Sequence, residues 1–390
     1  MREAPRVAHI LEATVGGTGR HLTEIGCELA GLGIPQEALL SRRAEESFDS
    51  QAERLARAGV RLTWVPMTRE IAPGADLRAL WLLVRCLRRS RPDVVHTHSS
   101  KAGILGRAAA VLAGVPVIVH SPHAFPFQMR VGRARRALYL ALERAAARKT
   151  TCLVAVSNAE RDLAVSIAGY PEKRAVVIEN GVDPEGGASP EEGEALRQEL
   201  GIAPETPVVL FVGRLVEQKA PDVLVRAAAL VLARHPDALF LLAGAGPHFE
   251  TVQRQVARWL AEGPPGINPE RVRLLGHRQD IERFYAAAQI FVLPSRWEGL
   301  PYAPLEAMRA GIPVVASDLP PLREMVVHQQ TGLLVPPDDP EALAGALSSL
   351  LSAPEWARAL GRAGQARVCE RFSLRRQVEQ LALVYRTLAR

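Results

Sequence analysis

At 390 residues the chain is long for one domain and comfortable for two, each large enough to bury its own core. Its 48 Lys+Arg against 42 Asp+Glu give a net +6, unevenly spread: residues 1 to 180 hold 26 cations and 17 acids, so +9, and the remainder 22 and 25, so −3. Cys27, Cys86, Cys152 and Cys369 show no C-x-x-C spacing and no stretch of about eighteen apolar residues runs uninterrupted, which argues against zinc knuckles, a disulfide framework and membrane spans.

Few aromatics and many aliphatic residues suit an α/β protein with covered sheets. The N-terminal apolar run is too short for a signal peptide, so the expected location is the cytoplasm, or the inner face of the membrane as a peripheral protein.

Residues 6 to 15, RVAHILEATV, read as an apolar strand running into GGTGRHLTEIGCELAGLG, a Gly-rich turn and a helix. That order opens a Rossmann-like unit, although G-G-x-G is not the dinucleotide fingerprint and a plain βα turn would look the same. A helix at about 48 to 58, a strand VRLTWVPM and an amphipathic helix DLRALWLLVRCLRRS follow. RPDVVHTHSS is then a buried strand ending in polar residues, where an open parallel sheet carries its ligands. His96 and His98, two apart, share one strand face; with no third ligand at a defined spacing they read as structural. Lys101, beside the start of the helix AGILGRAAAVLAG, is either solvated or poised for an acceptor phosphate. The strand PVIVH leads to SPHAFPF, whose His123 taken alone reads as structural.

Residues 130 to 149 carry seven cations and one acid on a helical stretch with Leu138, Tyr139, Leu140 and Leu142. Such a helix can lie on an anionic membrane surface, or pack its apolar stripe inward beneath a solvated basic face. Nucleic acid is not indicated, because no aromatics interleave the charges and no binding module is present. The strands CLVAV and AVVIENGVD close this half. The Gly-, Pro- and Glu-rich segment PEGGASPEEGEALRQELGIAPETP marks a boundary and holds one short helix capped by Ser189.

The second half restarts the scheme with strands PVVLFVGRL, ALFLLAGAGP, RVRLLGH and IFVLPS and helices PDVLVRAAALVLARH and DIERFYAAA. Arg214 and Lys219 stand five residues apart beyond a central strand, either as exposed charges or together as a diphosphate clamp. Asp338-Asp339 precede PEAL and read as a helix cap rather than a metal motif.

Between them lies LPSRWEGLPYAPLEAMRAGIPVVASD, residues 293 to 318: a strand end, a tight loop, a helix opened by Pro304 and stopped by Gly311, and a second strand. Glu298 sits in the loop and Glu306 in the expected first turn of the helix. The helix start leaves backbone N–H groups unpaired, so the loop could hold an anion between two acids free to bind hydroxyls. That suits a sugar nucleotide, negative in the middle and polyhydroxylated at both ends. A solvated loop acid and an acid favoured by the helix dipole are the alternative.

The run PS-x-x-EG-x-P-x-x-x-LEAM-x-x-G-x-PVVASD closely resembles the signature of the family 4 retaining glycosyltransferases, and the likeness covers nearly the whole chain. It implies the α/β GT-B architecture, two Rossmann-like domains facing across a cleft. Residues 1–182 would form the acceptor domain, joined by a C-terminal helix at about 373–390, and 183–372 the nucleotide-sugar donor domain. The activity implied is transfer of a hexosyl group from a UDP- or GDP-sugar to an acceptor hydroxyl with retention, without cofactor or metal, in polysaccharide or glycolipid synthesis. The acceptor would be a sugar, a small molecule or a lipid-linked molecule.

Carried over by position, Glu298 binds hydroxyls of the transferred sugar and Glu306 the ribose, with Gly299, Leu300, Pro301 and Tyr302 between them in the donor site. Arg214 and Lys219 bind the diphosphate, and His123, in the family's T-x-H-G pattern, reaches the donor sugar. These two cations with His123 and Glu298 make the expected catalytic set. Gly16, Gly17, Gly246, His277 and Arg278 join the donor site, and Arg20, His21 and Lys101 are acceptor candidates. Two departures are Ala124 in place of the Gly of T-x-H-G and Ala220 in place of the Gly after the clamp lysine. A GT-B-fold nucleotide-sugar epimerase would lack the EGLP…LEAM run, and a phosphorylase would need a pyridoxal lysine where only Lys219 is near. A noncatalytic nucleotide-sugar binding protein would share the fold and much of the site.

Overall fold

The computed structural model of the protein describes residues 4–14, 16–42, 48–68, 70–262 and 268–390; Val15, which the expected first strand reaches, lies outside them. The chain divides into two compact units, Met1–Asn180 with Leu374–Arg390, and Gly181–Ser373.

The first unit alternates strands and helices: β1 (Val7–Leu11), α1 (Gly17–Gly31), β2 (Gln36–Leu40), α2 (Asp49–Arg57), β3 (Arg61–Trp64), α3 (Pro73–Ser90), β4 (Val94–His98), α4 (Ser100–Ala113), β5 (Val117–Ser121), α5 (Arg133–Ala147), β6 (Cys152–Ala155), α6 (Asn158–Leu163) and β7 (Ala175–Val177). Its seven strands are all parallel in the order β3-β2-β1-β4-β5-β6-β7. The order reverses between β1 and β4, and an open α/β sheet binds ligands beyond the strand ends at such a switch.

The second unit runs α7 (Pro190–Glu199), β8 (Val208–Val212), α8 (Pro221–Leu232), β9 (Leu239–Ala243), α9 (Phe249–Glu262), β10 (Val272–Gly276), α10 (Ile281–Ala287), β11 (Ile290–Leu293), α11 (Tyr302–Arg309), β12 (Val314–Ser317), α12 (Pro320–Met325), β13 (Gly332–Val335), α13 (Pro340–Ser352) and α14 (Pro354–Arg371). Its six parallel strands follow β10-β9-β8-β11-β12-β13, with the switch between β8 and β11. The final helix, α15 (Leu374–Leu388), belongs to the first unit: Leu374, Val378, Leu381 and Tyr385 share a core with Val7, Ile25, Val94 and Val119.

Parallel strands covered on both faces need apolar side chains on both, and Val7 to Leu11 of β1 and Leu239 to Ala243 of β9 are buried throughout. Alternation sorts the first sheet. Val7 and Val94 face α1 and α15, whereas Ala8, Ile10 and Val95 face α3 and α4. Ser189 and Glu192 form a reciprocal capping box opening α7, and Asp339 caps α13 by accepting from the Ala342 amide at 2.8 Å, as the sequence indicates.

Two expectations change. Helix α11 begins at Tyr302 rather than Pro304, which moves Glu306 to its fifth residue, in the second turn and 3% exposed. Helix α9, between β9 and β10, was not anticipated.

Candidate functional site

In the second unit the loops after β8 and β11 meet at the switch point. Lys219 Nζ, in the short turn after β8, lies 2.5 Å from Glu298 Oε1, and the same oxygen accepts from Ser295 Oγ at 2.6 Å. Gln218 Nε2 donates to Glu298 Oε2 at 3.3 Å and to the Trp297 carbonyl at 3.0 Å. Glu298 is therefore not an acid standing free in a loop. It is buried and paired with Lys219, the expected clamp lysine. Ala220 adopts a left-handed φ of 48°, the conformation that explains a glycine after the lysine. Arg214 is half-buried on the segment leaving β8.

Glu306 Oε2 accepts from the Tyr285 hydroxyl of α10 at 2.6 Å. Leu300 and Tyr302 are buried and Pro301 is the N-cap residue of α11. Gly246 follows β9 with φ 153°, and a Cβ there would stand 2.6 Å from the Leu215 carbonyl oxygen, while one at Gly244 would stand 1.9 Å from that of Gly213. Only glycines let this loop lie on the Arg214 segment, where Leu215 N–H donates to the Ala245 carbonyl at 2.9 Å. His277 is exposed just after β10. The Arg278 guanidinium is committed to Asp280, at 2.7 and 2.9 Å.

In the first unit, Gly16 caps α1 with φ 75°. A Cβ on Gly19 would lie 1.7 Å from the Thr14 carbonyl oxygen, so this turn needs a glycine at 19; Gly17 is exposed. Of the acceptor candidates, Arg20 lies half-buried on α1, and the other two have partners within the first unit. Lys101 reaches the Asp76 carboxylate at 2.6 Å and the Glu70 carbonyl at 2.8 Å, so its charge is neutralised locally. His21 is buried, its Nδ1 3.1 Å from Asn180 Oδ1 and 3.3 Å from Gln377 Nε2 of α15.

His123 and Ala124 follow β5 with φ of 53° and 81°, the left-handed region where glycine is cheap. Glu160 holds this loop, accepting from the Ala124 amide at 2.6 Å and from the Val156 amide at 2.9 Å. His123 packs against His21 with ring centres 4.5 Å apart, and its Nε2 lies 3.3 Å from His98 Nδ1. His96 and His98 have imidazole neighbours that no defined spacing in the sequence announces. His9 stands beside both, His21 and His123 stand beside His98, and each triplet's nitrogens lie within 4.8 Å of one another. These partners come from β1, α1 and the loop after β5, distances in sequence that no local spacing could reveal. Burial pushes the imidazoles down, His9 to about 4 and His123 to about 3, so they are neutral near pH 7.

The remaining residues that sequence reasoning missed form a second buried cluster. Arg107 of α4 clasps Glu143 of α5 with two bonds of 2.8 and 2.9 Å, and the Tyr170 hydroxyl donates to Glu143 at 2.6 Å. Burial would raise the Glu143 pKa, but the Arg107 charge overrides it and holds the carboxyl at about 2. On α5 itself, Leu138 and Leu142 are exposed among Arg133, Arg135 and Arg136.

Two parallel Rossmann-like units with charged groups gathered beyond the strand ends define the GT-B class. Residues 16–181 match the family described as glycosyl transferase 4-like domain, and residues 206–353 the one described as glycosyl transferases group 1. The chain is 34% identical over 293 residues to the UDP-Gal:alpha-D-GlcNAc-diphosphoundecaprenol alpha-1,3-galactosyltransferase of Escherichia coli, covering 74% of each. It is 30% identical over 413 aligned positions to the alpha-maltose-1-phosphate synthase of Mycolicibacterium smegmatis, spanning both chains entirely. In fold it is similar to Anabaena HepE, solved with UDP and glucose, at a TM-score of 0.82 and 22% identity over 98% of this chain and all of that one. The chain belongs to the family 4 glycosyltransferases.

Proposed function

We propose that this glycosyltransferase moves a hexosyl group from a nucleoside diphosphate sugar to an acceptor hydroxyl, with retention and without a metal ion. The observation that carries the reading is the meeting of Lys219 with Glu298 at the β8/β11 switch point, one group suited to phosphate and the other to sugar hydroxyls. As the bond from the anomeric carbon to the leaving oxygen breaks, its electron pair goes to the diphosphate. Arg214 and Lys219 supply positive charge there, the place that Mg2+ takes in other transferases. The acceptor oxygen bonds to the anomeric carbon and its proton passes to the departing phosphate. Glu298 binds hydroxyls of the transferred sugar and Glu306, oriented by Tyr285, binds the ribose. His123 faces the transferred sugar, a role that rests on the T-x-H-G resemblance.

A UDP-sugar is the favoured donor and a lipid-linked glycan the favoured acceptor. The name of the Escherichia coli relative supports both. Exposed Leu138 and Leu142 on basic α5 support peripheral contact with an anionic membrane, and among the described residues no helix is long and apolar enough to cross one. Incubation with UDP- and GDP-sugars in EDTA, with and without lipid-linked acceptors, tests the reading through release of free nucleoside diphosphate. Activity lost in EDTA and restored by Mn2+ would refute the metal-free mechanism.

A further inference from the structure

The imidazoles under α1 and α15 are joined in a line whose hydrogen-bond directions are forced from one end. Gln36, the first residue of β2, donates from Nε2 to the Gly26 carbonyl at 2.9 Å and approaches that of Ile34 at 3.4 Å. A carbonyl oxygen can only accept, so the amide cannot be turned over, and Gln36 Oε1 faces His9 Nε2 at 3.1 Å. His9 must then carry its proton on Nε2 and present Nδ1 as an acceptor. His98 Nε2, 3.2 Å from His9 Nδ1, donates to it, which leaves His98 Nδ1 as an acceptor. His123 Nε2, 3.3 Å from that atom, donates in turn. Its Nδ1 has no hydrogen-bond partner among the described residues.

We propose that Gln36, acting through His9 and His98, fixes His123 as the Nε2–H tautomer, so that its Nδ1 lone pair meets the substrate and accepts from a hydroxyl. Gln36, His9 and His98 are positioning residues. The inference deepens the reading of His123 as a sugar-facing group. Burial of His9 and His98, which keeps these rings neutral, is what gives each a single proton to place. His96 stands outside the line: its nitrogens are met by the Tyr385 hydroxyl at 2.6 Å and Ser121 Oγ at 2.9 Å.

The test is the long-range 1H–15N spectrum of histidine-labelled protein at pH 7.5 in EDTA without substrate, with His123 assigned by its loss in His123→Ala. The expected pattern is a pyridine-like Nδ1 and a pyrrole-like Nε2 at His123. Gln36→Met, which keeps length but removes the acceptor, should mix the two tautomers. It should also lower kcat by about tenfold, the worth of one neutral hydrogen bond, with a smaller change in donor KM. Tyr385→Phe, which alters only the bond to His96, should leave the His123 pattern intact. A protonated Nδ1 at His123 in the unaltered protein overturns the proposal, even if Gln36→Met fails to fold. So does a spectrum that changes when EDTA is added, since a bound ion would then order the rings. Because the spectrum needs no turnover, these results stand apart from the success or failure of the proposed glycosyl transfer.

Discussion

Lowering the pH from 7.5 to 5.5 should selectively unfold the first unit. His9, His21, His96, His98 and His120 are at most 4% exposed, and burial pushes each below its ordinary value, His120 to about 3. The folded unit therefore keeps them neutral while the unfolded chain takes up protons below pH 6.5. The stability is whole above 6.5 and drains as the pH falls toward the lowered folded values, about 4 for His9 and about 3 for His120. At one unit below 6.5, each histidine costs about 1.4 kcal/mol, and five together cost about 7, comparable with the whole stability of a typical domain. Amide hydrogen exchange in β1 and β4, corrected for intrinsic rates, should lose about five decades of protection. A loss under about 2 kcal/mol would mean that the folded array accepts protons, and the account of neutral buried rings would be wrong.

Lys219→Ala should lower turnover by about a hundredfold or more, because a charge-assisted partner of the developing anion is worth about 3 kcal/mol. It should also destabilise the second unit by leaving Glu298 buried without its cation, whereas Lys219→Met with Glu298→Gln should recover the melting temperature but not the activity. Arg107→Ala should cost about 3–5 kcal/mol in urea titrations, largely regained when Glu143→Leu removes the stranded carboxylate from an Arg107→Met background. Sedimentation with anionic but not neutral vesicles, reversed by salt and weakened by Leu138→Ser with Leu142→Ser, is the expected membrane behaviour; equal recovery in both supernatants would favour a water-borne acceptor.

Much of this architecture was legible because α/β units announce themselves through apolar strands, glycine turns and helix caps. Ser189 and Asp339 cap the helices their local sequence suggests. What remained hidden depends on sheet order. Glu298 finds Lys219 because β11 lies beside β8, 79 residues away in sequence, and His9 finds His96 because β1 pairs with β4. A pair such as His96 and His98 therefore looked isolated when it was part of a five-imidazole array. The Asp76 partner of Lys101 lies 25 residues away in sequence, so that pairing was hidden for a similar reason. Glu306 falls in the second turn rather than the first because α11 opens at Tyr302, two residues before Pro304.

The most direct test of the donor-site account is the affinity of free UDP for Glu298→Gln and Glu306→Gln, measured by calorimetry. UDP contains the ribose but no transferred sugar, so Glu306→Gln should weaken its binding and raise donor KM. Glu298→Gln should leave UDP affinity unchanged, or tighten it by releasing Lys219, while lowering kcat. Loss of UDP binding in Glu298→Gln with full binding in Glu306→Gln would contradict the assignment and exchange the two roles.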